Sequence, residues 1–237
     1  MHTTRSDAAG PILSIWAHPD DESYLAAGLM AQAAAAGRRV VVVTATRGEG
    51  GGDPRQRTRE LRAALAVLGV HEHVVLDLPD GGCDTVPAEL AVRRLRMLWT
   101  FVRPATILTF GPDGITGHRD HIAVAEWVHA AWLATGARAR LLQAAVTPEF
   151  AQEHAEVHDR FSVFEPGFPV TTPRERLAID VDLPPALLDR KRAALAAHAS
   201  QTAGLAAAMG ESTYRRWIAR ETFVEVRVRE PAGAARR

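Results

Sequence analysis

The stretch Pro11-Ile12-Leu13-Ser14-Ile15-Trp16-Ala17-His18-Pro19-Asp20-Asp21-Glu22 decides how the chain is read. Residues 12–17 form a short apolar run, of the length and kind that makes a strand buried in a parallel sheet. The run stops at His18-Pro19, because proline lacks an N–H and disfavours helix at the residue before it. Asp20, Asp21 and Glu22 then open a helix. An imidazole and up to three carboxylates are thereby gathered at the carboxyl end of a first strand, where open α/β sheets put their chemistry.

Outward from there, strand and helix patterns alternate. A helix is expected over 21–36, closed by Gly37, then a strand over 39–46 whose four consecutive valines suit an interior position covered on both faces. A glycine-rich loop, Arg47 to Asp53, leads to a helix over 55–68 with Leu61, Ala64, Leu65 and Leu68 on one face. Further strands are expected over 73–78, 105–110 and 141–146, with helices over 88–102 and 122–134 between them. This order predicts a single-domain α/β fold over 1–237, Rossmann-like, with a mainly parallel sheet of five or six strands and helices on both faces. Beyond Thr147, Pro148, Pro166, Pro169 and Pro173 punctuate a stretch without a regular pattern. A short strand over 177–181, a helix over 184–199 and a last strand over 222–228, antiparallel at the sheet edge, complete the expectation. The ends, 1–10 and 230–237, are expected to be disordered.

Composition narrows the partners. Of 237 residues, 47% are hydrophobic, and 28 basic side chains balance 28 acidic ones without a long run of either sign. Neither a nucleic acid nor a membrane surface is suggested, which leaves a small molecule as the expected partner. Cys83 is the sole cysteine, excluding an internal disulfide and fitting a reducing, cytoplasmic setting. No motif encodes assembly, so a homo-oligomer stays open.

Two clusters carry the chemistry. His18 and Asp21 lie three apart across a strand-to-helix turn, and His118 and His121 flank the start of a helix after the strand over 105–110. Either spacing can aim side chains at one point. Two nitrogens and a carboxylate oxygen form a common catalytic zinc set with a position open for water. Asp20, beside a candidate ligand but pointing differently, is the expected general base. Whichever of His118 and His121 does not bind metal is free to act as acid or to hold an oxyanion. Asp120 either orients an imidazole from behind or caps the helix starting at His121.

Ala17-His18-Pro19-Asp20-Asp21-Glu22 with Gly117-His118-Arg119-Asp120-His121 closely resembles the PIG-L/LmbE-like family of zinc-dependent N-acetylglucosaminyl deacetylases and related amidases. Thr46-Arg47-Gly48-Glu49, Arg57-Thr58-Arg59-Glu60 and the stretch Lys191 to Gln201 are similar to further motifs of that family, in the same order. The resemblance implies zinc, or another divalent ion such as Fe2+, held by His18, Asp21 and His121, with Asp20 as general base and His118 as acid or oxyanion stabiliser. It also moves Glu49 and His198 toward substrate binding and Arg57 toward the site, either to bind sugar hydroxyls or to support Asp20, and leaves Glu22 a supporting or capping role. The chain departs from the pattern at Arg119, where many members carry proline, and over 147–173, where no motif matches.

The implied activity is hydrolysis of an N-acetyl group on an amino-sugar derivative. Its rivals are an amidase acting on a thiol conjugate or secondary metabolite through the same zinc site, and a non-catalytic metal- or sugar-binding protein. The glycine-rich loop fits neither the dinucleotide fingerprint nor the P-loop. His71, His73, His154 and His158 read as structural or solvated.

Overall fold

The computed structural model describes residues 10–228, so the ends expected to be disordered lie outside the described residues but for Gly10. Seven strands form one sheet in the order β3-β2-β1-β4-β5-β7-β6. They are β1 (Ile12–Trp16), β2 (Val40–Thr44), β3 (Glu72–Val75), β4 (Thr106–Phe110), β5 (Arg140–Ala144), β6 (Ile179–Asp182) and β7 (Arg220–Val226). The first five run parallel, while β7 pairs antiparallel with both β5 and β6. The antiparallel end is therefore two strands deep: the last strand lies one in from the edge, and the short 179–182 strand forms the edge itself.

Every residue of β1, β2 and β4 is buried, which is what their unbroken apolar sequences require of a sheet covered on both faces. The chain builds β1, β2 and β3 outward, then returns to lay β4 on the free side of β1. That reversal opens a crevice beyond the carboxyl ends of β1 and β4, the topological switch point of an open α/β sheet.

Helices α3 (Pro54–Leu68), α4 (Ala88–Val102) and α5 (Arg119–Ala134) stand close to their expected places. The helix expected over 21–36 is two, α1 (Asp21–Leu25) and α2 (Ala27–Ala35), broken at Ala26 with φ −139°. The break has a buried partner. Glu221 of β7 accepts hydrogen bonds from the Gly28 and Leu29 N–H groups at 2.8 and 3.0 Å, capping α2 from across the molecule. Lys191, the only lysine, neutralises it at 3.0 Å, and both side chains are fully buried. A Cβ at Gly28 would collide with Leu183, which explains the glycine there.

The irregular stretch after Thr147 contains two short helices, α6 (Pro148–Glu153) and α7 (Ala155–Phe161). Helix α8 (Pro185–Ala197) is followed by two that no sequence pattern marked, α9 (Ala199–Met209) and α10 (Glu211–Ile218). Among the described residues, no helix is long and apolar enough to cross a membrane.

Candidate active site

His18 and Asp21 leave the carboxyl end of β1, and His118 and His121 sit at the start of α5, after β4. The fold brings the two clusters together, as their positions at strand ends predict. His18 Nδ1 lies 3.2 Å from His121 Nε2 and 3.6 Å from Asp21 Oδ2, and His121 Nε2 lies 3.4 Å from Asp21 Oδ1. The His118 ring stands 4.9 Å from that of His18 and 5.0 Å from that of His121, centroid to centroid.

The outer nitrogens fix which atoms face inward. His18 Nε2 lies 3.0 Å from Asp80 and 3.2 Å from Asp120, so it carries the proton and leaves Nδ1 as a lone pair. His121 Nδ1 donates to the Gly114 carbonyl at 3.0 Å, so its Nε2 is also a lone pair. Two lone pairs and a carboxylate thus converge without a proton to share. A tetrahedral ion with bonds of about 2.0–2.2 Å needs donors about 3.3–3.6 Å apart; the two imidazole nitrogens at 3.2 Å, and the Asp21 carboxylate facing His18 with Oδ2 and His121 with Oδ1, come close to that spacing. Electrostatics favour a cation here. Burial works against a charged His18, yet Asp120, Asp21 and Asp80 raise its pKa well above the ordinary histidine value, so the site favours positive charge. Burial, with His18 and His118 nearby, pushes His121 down to about 4 and keeps it neutral, the form in which an imidazole can bind a metal. Against burial, the neighbouring imidazoles hold Asp21 far below the usual carboxylate range. The residues present fit a divalent metal.

Asp20 sits in a backbone conformation that only tertiary contacts sustain, with φ 123° at a non-glycine residue. Arg57 supplies them. Its buried guanidinium donates to the Pro19 carbonyl at 2.5 Å, to Asp20 Oδ2 at 3.2 Å and to the Gly48 carbonyl at 3.0 Å. A side chain at Gly48 or Gly51 would strike that guanidinium. The glycine-rich loop therefore makes room for an arginine instead of cradling a phosphate. Burial and the neighbouring Asp21 charge push Asp20 up to about 7, with Arg57 pulling the other way.

His118 caps α5, its Nδ1 accepting the Asp120 N–H at 3.2 Å. This bond leaves the ring proton on Nε2, the atom free to donate into the site. The helix starts at Arg119, so His118 and not Asp120 is its cap. Asp120 instead is fully buried, accepting from Gly81 N–H at 2.6 Å and Cys83 N–H at 3.0 Å while holding His18. Arg119 stands at the first helical position, where proline is also well tolerated.

Other expectations need correction. His198 is completely buried and cannot line a substrate cavity; its Nε2 lies 2.9 Å from Glu22. Glu22, also buried, accepts the Asp20 N–H at 3.0 Å, so the pair supports the strained turn from beneath. Arg57 is likewise occupied with backbone and Asp20, not open to sugar hydroxyls. Glu49 is exposed and accepts the Asp80 N–H at 3.0 Å, tying the loop after β2 to that after β3. Glu60, in the motif after Arg57, accepts from Ser200 N–H at 3.1 Å and Ser200 Oγ at 2.6 Å. His154 and His158 are buried, as a structural role requires, and His158 lines a second cavity.

Asp80 is the functional side chain that sequence reading missed. Its bond to His18 draws it down to about 2. The signal was positional: Pro79-Asp80-Gly81-Gly82 follows the third strand as the other clusters follow theirs.

A cavity of about 350 Å3 opens beside these groups, bounded at one end by Asp20, Asp21, Thr116 and His121.

The family model described as PIG-L, GlcNAc-PI de-N-acetylase, matches residues 13–132, which contain both clusters. The chain belongs to the PIG-L family. A PIG-L relative from Nakamurella multipartita, a 1D-myo-inositol 2-acetamido-2-deoxy-alpha-D-glucopyranoside deacetylase, is 35% identical over 83% of this chain and 81% of its own length. The zinc-inhibited form of teicoplanin deacetylase Orf2 superposes with a TM-score of 0.66 at 17% identity, covering 93% of this chain and 100% of its own. GalB, the 4-carboxy-2-hydroxymuconate hydratase from Pseudomonas putida KT2440, superposes with a TM-score of 0.64 at 18% identity, covering 95% and 100%. These two likenesses establish the fold alone. A hydratase beside a deacetylase shows that the PIG-L fold does not by itself set the reaction.

Proposed function

We propose that the chain is a metal-dependent hydrolase that removes an N-acyl group, most simply N-acetyl, from an amino-sugar derivative. The observation that carries the reading is the convergence of His18 Nδ1, His121 Nε2 and the Asp21 carboxylate at 3.2–3.6 Å from one another, with Asp20 at the cavity end beside them. The Nakamurella relative's activity, at 35% identity, supports the substrate class.

Zinc, or another divalent ion such as Fe2+, would be held by His18, Asp21 and His121. Such an ion supplies polarisation of the amide carbonyl and acidification of water. Asp20 takes the proton of the attacking water at its carboxylate, while Arg57 holds the carboxylate in place. Burial and the Asp21 charge raise Asp20, while Arg57 and a neighbouring cation would favour its carboxylate, the form that accepts a proton. His118, with its proton on Nε2, donates to the developing oxyanion or to the departing nitrogen. Amine and carboxylate are the products. Asp80 and Asp120 keep His18 in the tautomer that ligates.

The test is acetate release from a panel of N-acetylglucosamine derivatives by enzyme stripped of metal and then reloaded. Hydrolysis is expected only after reloading. Asp20→Asn is expected to lower kcat by about 10²–10⁴-fold while metal content stays unchanged. Full turnover after stripping, or a wild-type rate in Asp20→Asn, overturns the mechanism.

A further inference from the structure

The cavity beside the catalytic acids has two unlike ends. Asp20, Asp21 and His121 bound one, while the walls beyond are Phe150, Phe161, Phe164, Leu205 and Trp217. These apolar groups come from α6, α7, the turn after α7, α9 and α10, all outside the segment that matches the family model.

The wall is built, not incidental. Trp217 Nε1 donates to His158 Nε2 at 3.2 Å, and burial pushes His158 down to about 4, keeping it a neutral acceptor. Tyr24 packs against the Trp217 indole at 5.6 Å between ring centroids, and Phe164 packs edge-on to His158 at 4.6 Å. Glu165 N–H donates to the Thr116 carbonyl at 2.8 Å, tying this wall to the loop that carries His118 and His121.

Most polar side chains on the lining are already committed, the Tyr24 hydroxyl accepting from that of Tyr214 at 3.3 Å. Thr222 Oγ1 donates to the Ala145 carbonyl at 2.6 Å, Arg220 Nε donates to Asp180 at 2.6 Å, and Glu221 is held by Lys191 and the start of α2. A sugar hydroxyl or polyol laid against the faces of Phe150, Phe161, Phe164, Leu205 and Trp217 would lose its water without gaining a partner there. Nor does an acetyl group need the space. At about 350 Å3 the cavity matches the liquid volume of about a dozen waters, far more than an acetyl group fills.

We propose that this chamber binds an apolar substituent, aryl or alkyl, that the substrate carries next to its scissile N-acyl bond. The substituent is either the aglycone of the amino sugar or an N-acyl chain longer than acetyl. The inference rests on the hydrolase reading for its catalytic consequence but not for its binding consequence.

Two substrate series on the metal-loaded full chain separate the sources. One varies the aglycone of N-acetylglucosaminides from methyl through propyl to hexyl and phenyl. The other varies the acyl group of methyl glucosaminide from acetyl through butyryl to hexanoyl. In one series kcat/KM is expected to climb about three- to fourfold per buried methylene until the chamber is full. Trp217→Ala and Phe164→Ala are each expected to flatten that climb. The readout is a ratio between substrates on one preparation, so loss of folded protein does not mimic it. Flat or falling values in both series overturn the proposal. Equilibrium binding tests the chamber independently of turnover, using phenyl against methyl β-D-glucopyranoside and hexanoate against acetate. At least about tenfold tighter binding of the larger member is expected in one pair. No preference in either pair overturns the chamber even if hydrolysis is observed. A preference without hydrolysis of any amide upholds the chamber and overturns the hydrolase reading.

Discussion

The segment through α5 and the segment after β5 meet at one cavity but are made differently. In the first, the side chains proposed to hold metal and move protons sit at strand ends, fixed by hydrogen bonds of defined direction: Asp80 and Asp120 behind His18, Gly114 behind His121, Arg57 behind Asp20. In the second, short helices present Phe150, Phe161 and Trp217, whose contacts are mostly non-directional. The family model matches 13–132 and stops before β5. The difference teaches that a hydrolytic centre tolerates little geometric freedom, whereas a surface facing the variable part of a substrate can be rebuilt from any apolar side chains of suitable size.

The sharpest way to break this division is to remove a ligand from the first segment. His18→Ala deletes an inward lone pair and leaves Asp80 and Asp120 facing one another without the imidazole between them. Activity is expected to fall by about a thousandfold or more, in proportion to the several kcal/mol of polarisation lost. Bound metal, measured by elemental analysis after dialysis, is expected to fall with it. Retention of both would place the chemistry elsewhere.

Breaking the joint between the segments comes next. Glu221 belongs to β7, Lys191 to α8, and the N–H groups they serve to α2, so this buried pair couples the late strands to the first helix pair. Glu221→Gln leaves Lys191 buried without a counter-charge, at a cost of about 3–5 kcal/mol in a urea melt. The double variant Glu221→Gln with Lys191→Met removes the stranded charge and is expected to recover part of that loss. Equal stability of wild type and Glu221→Gln would show that the pair is solvated in solution.

The two segments are also unequally legible from sequence. His18, Asp20, Asp21, His118 and His121 can be read because each lies within a few residues of a strand end, and local spacing already dictates where it points. Asp80 escapes such a reading because the residues after β3 look like an ordinary glycine-containing turn. Only the fold brings that turn back over β1. His198 is misplaced for a related reason: its position at a helix end suggests an exposed imidazole, whereas burial against Glu22 makes it part of the foundation of the Asp20 turn. The break at Ala26 has no signal of its own, since alanine favours helix, and arises from Glu221 on the last strand, at the other end of the chain. Helices α6 and α7 are too short to show a period, and contacts such as Trp217 to His158 hold them instead.

The smallest effect is expected where the segments touch at the surface. Glu60 of α3 accepts from both the backbone and the hydroxyl of Ser200, satisfying an N–H in the first turn of α9. Burial slightly opposes its ionisation, but Ser200 and Gln56 hold its pKa below the ordinary glutamate value. Because the folded value is the lower one, the stabilisation is complete above the unfolded value near ~4.3 and is lost as pH falls through the folded value. Glu60→Gln keeps the shape but removes the charge, so it is expected to cost a few tenths of a kcal/mol to about 1 kcal/mol at neutral pH. The same variant is expected to differ less from wild type in acid, and to leave kcat/KM toward a small acetamide unchanged. A Glu60→Gln penalty that grows as pH falls would reverse the sign expected for this contact. A changed kcat/KM at neutral pH would instead show that α9 transmits its position to the Asp20 turn, and that the two segments are less independent than their separate chemistries imply.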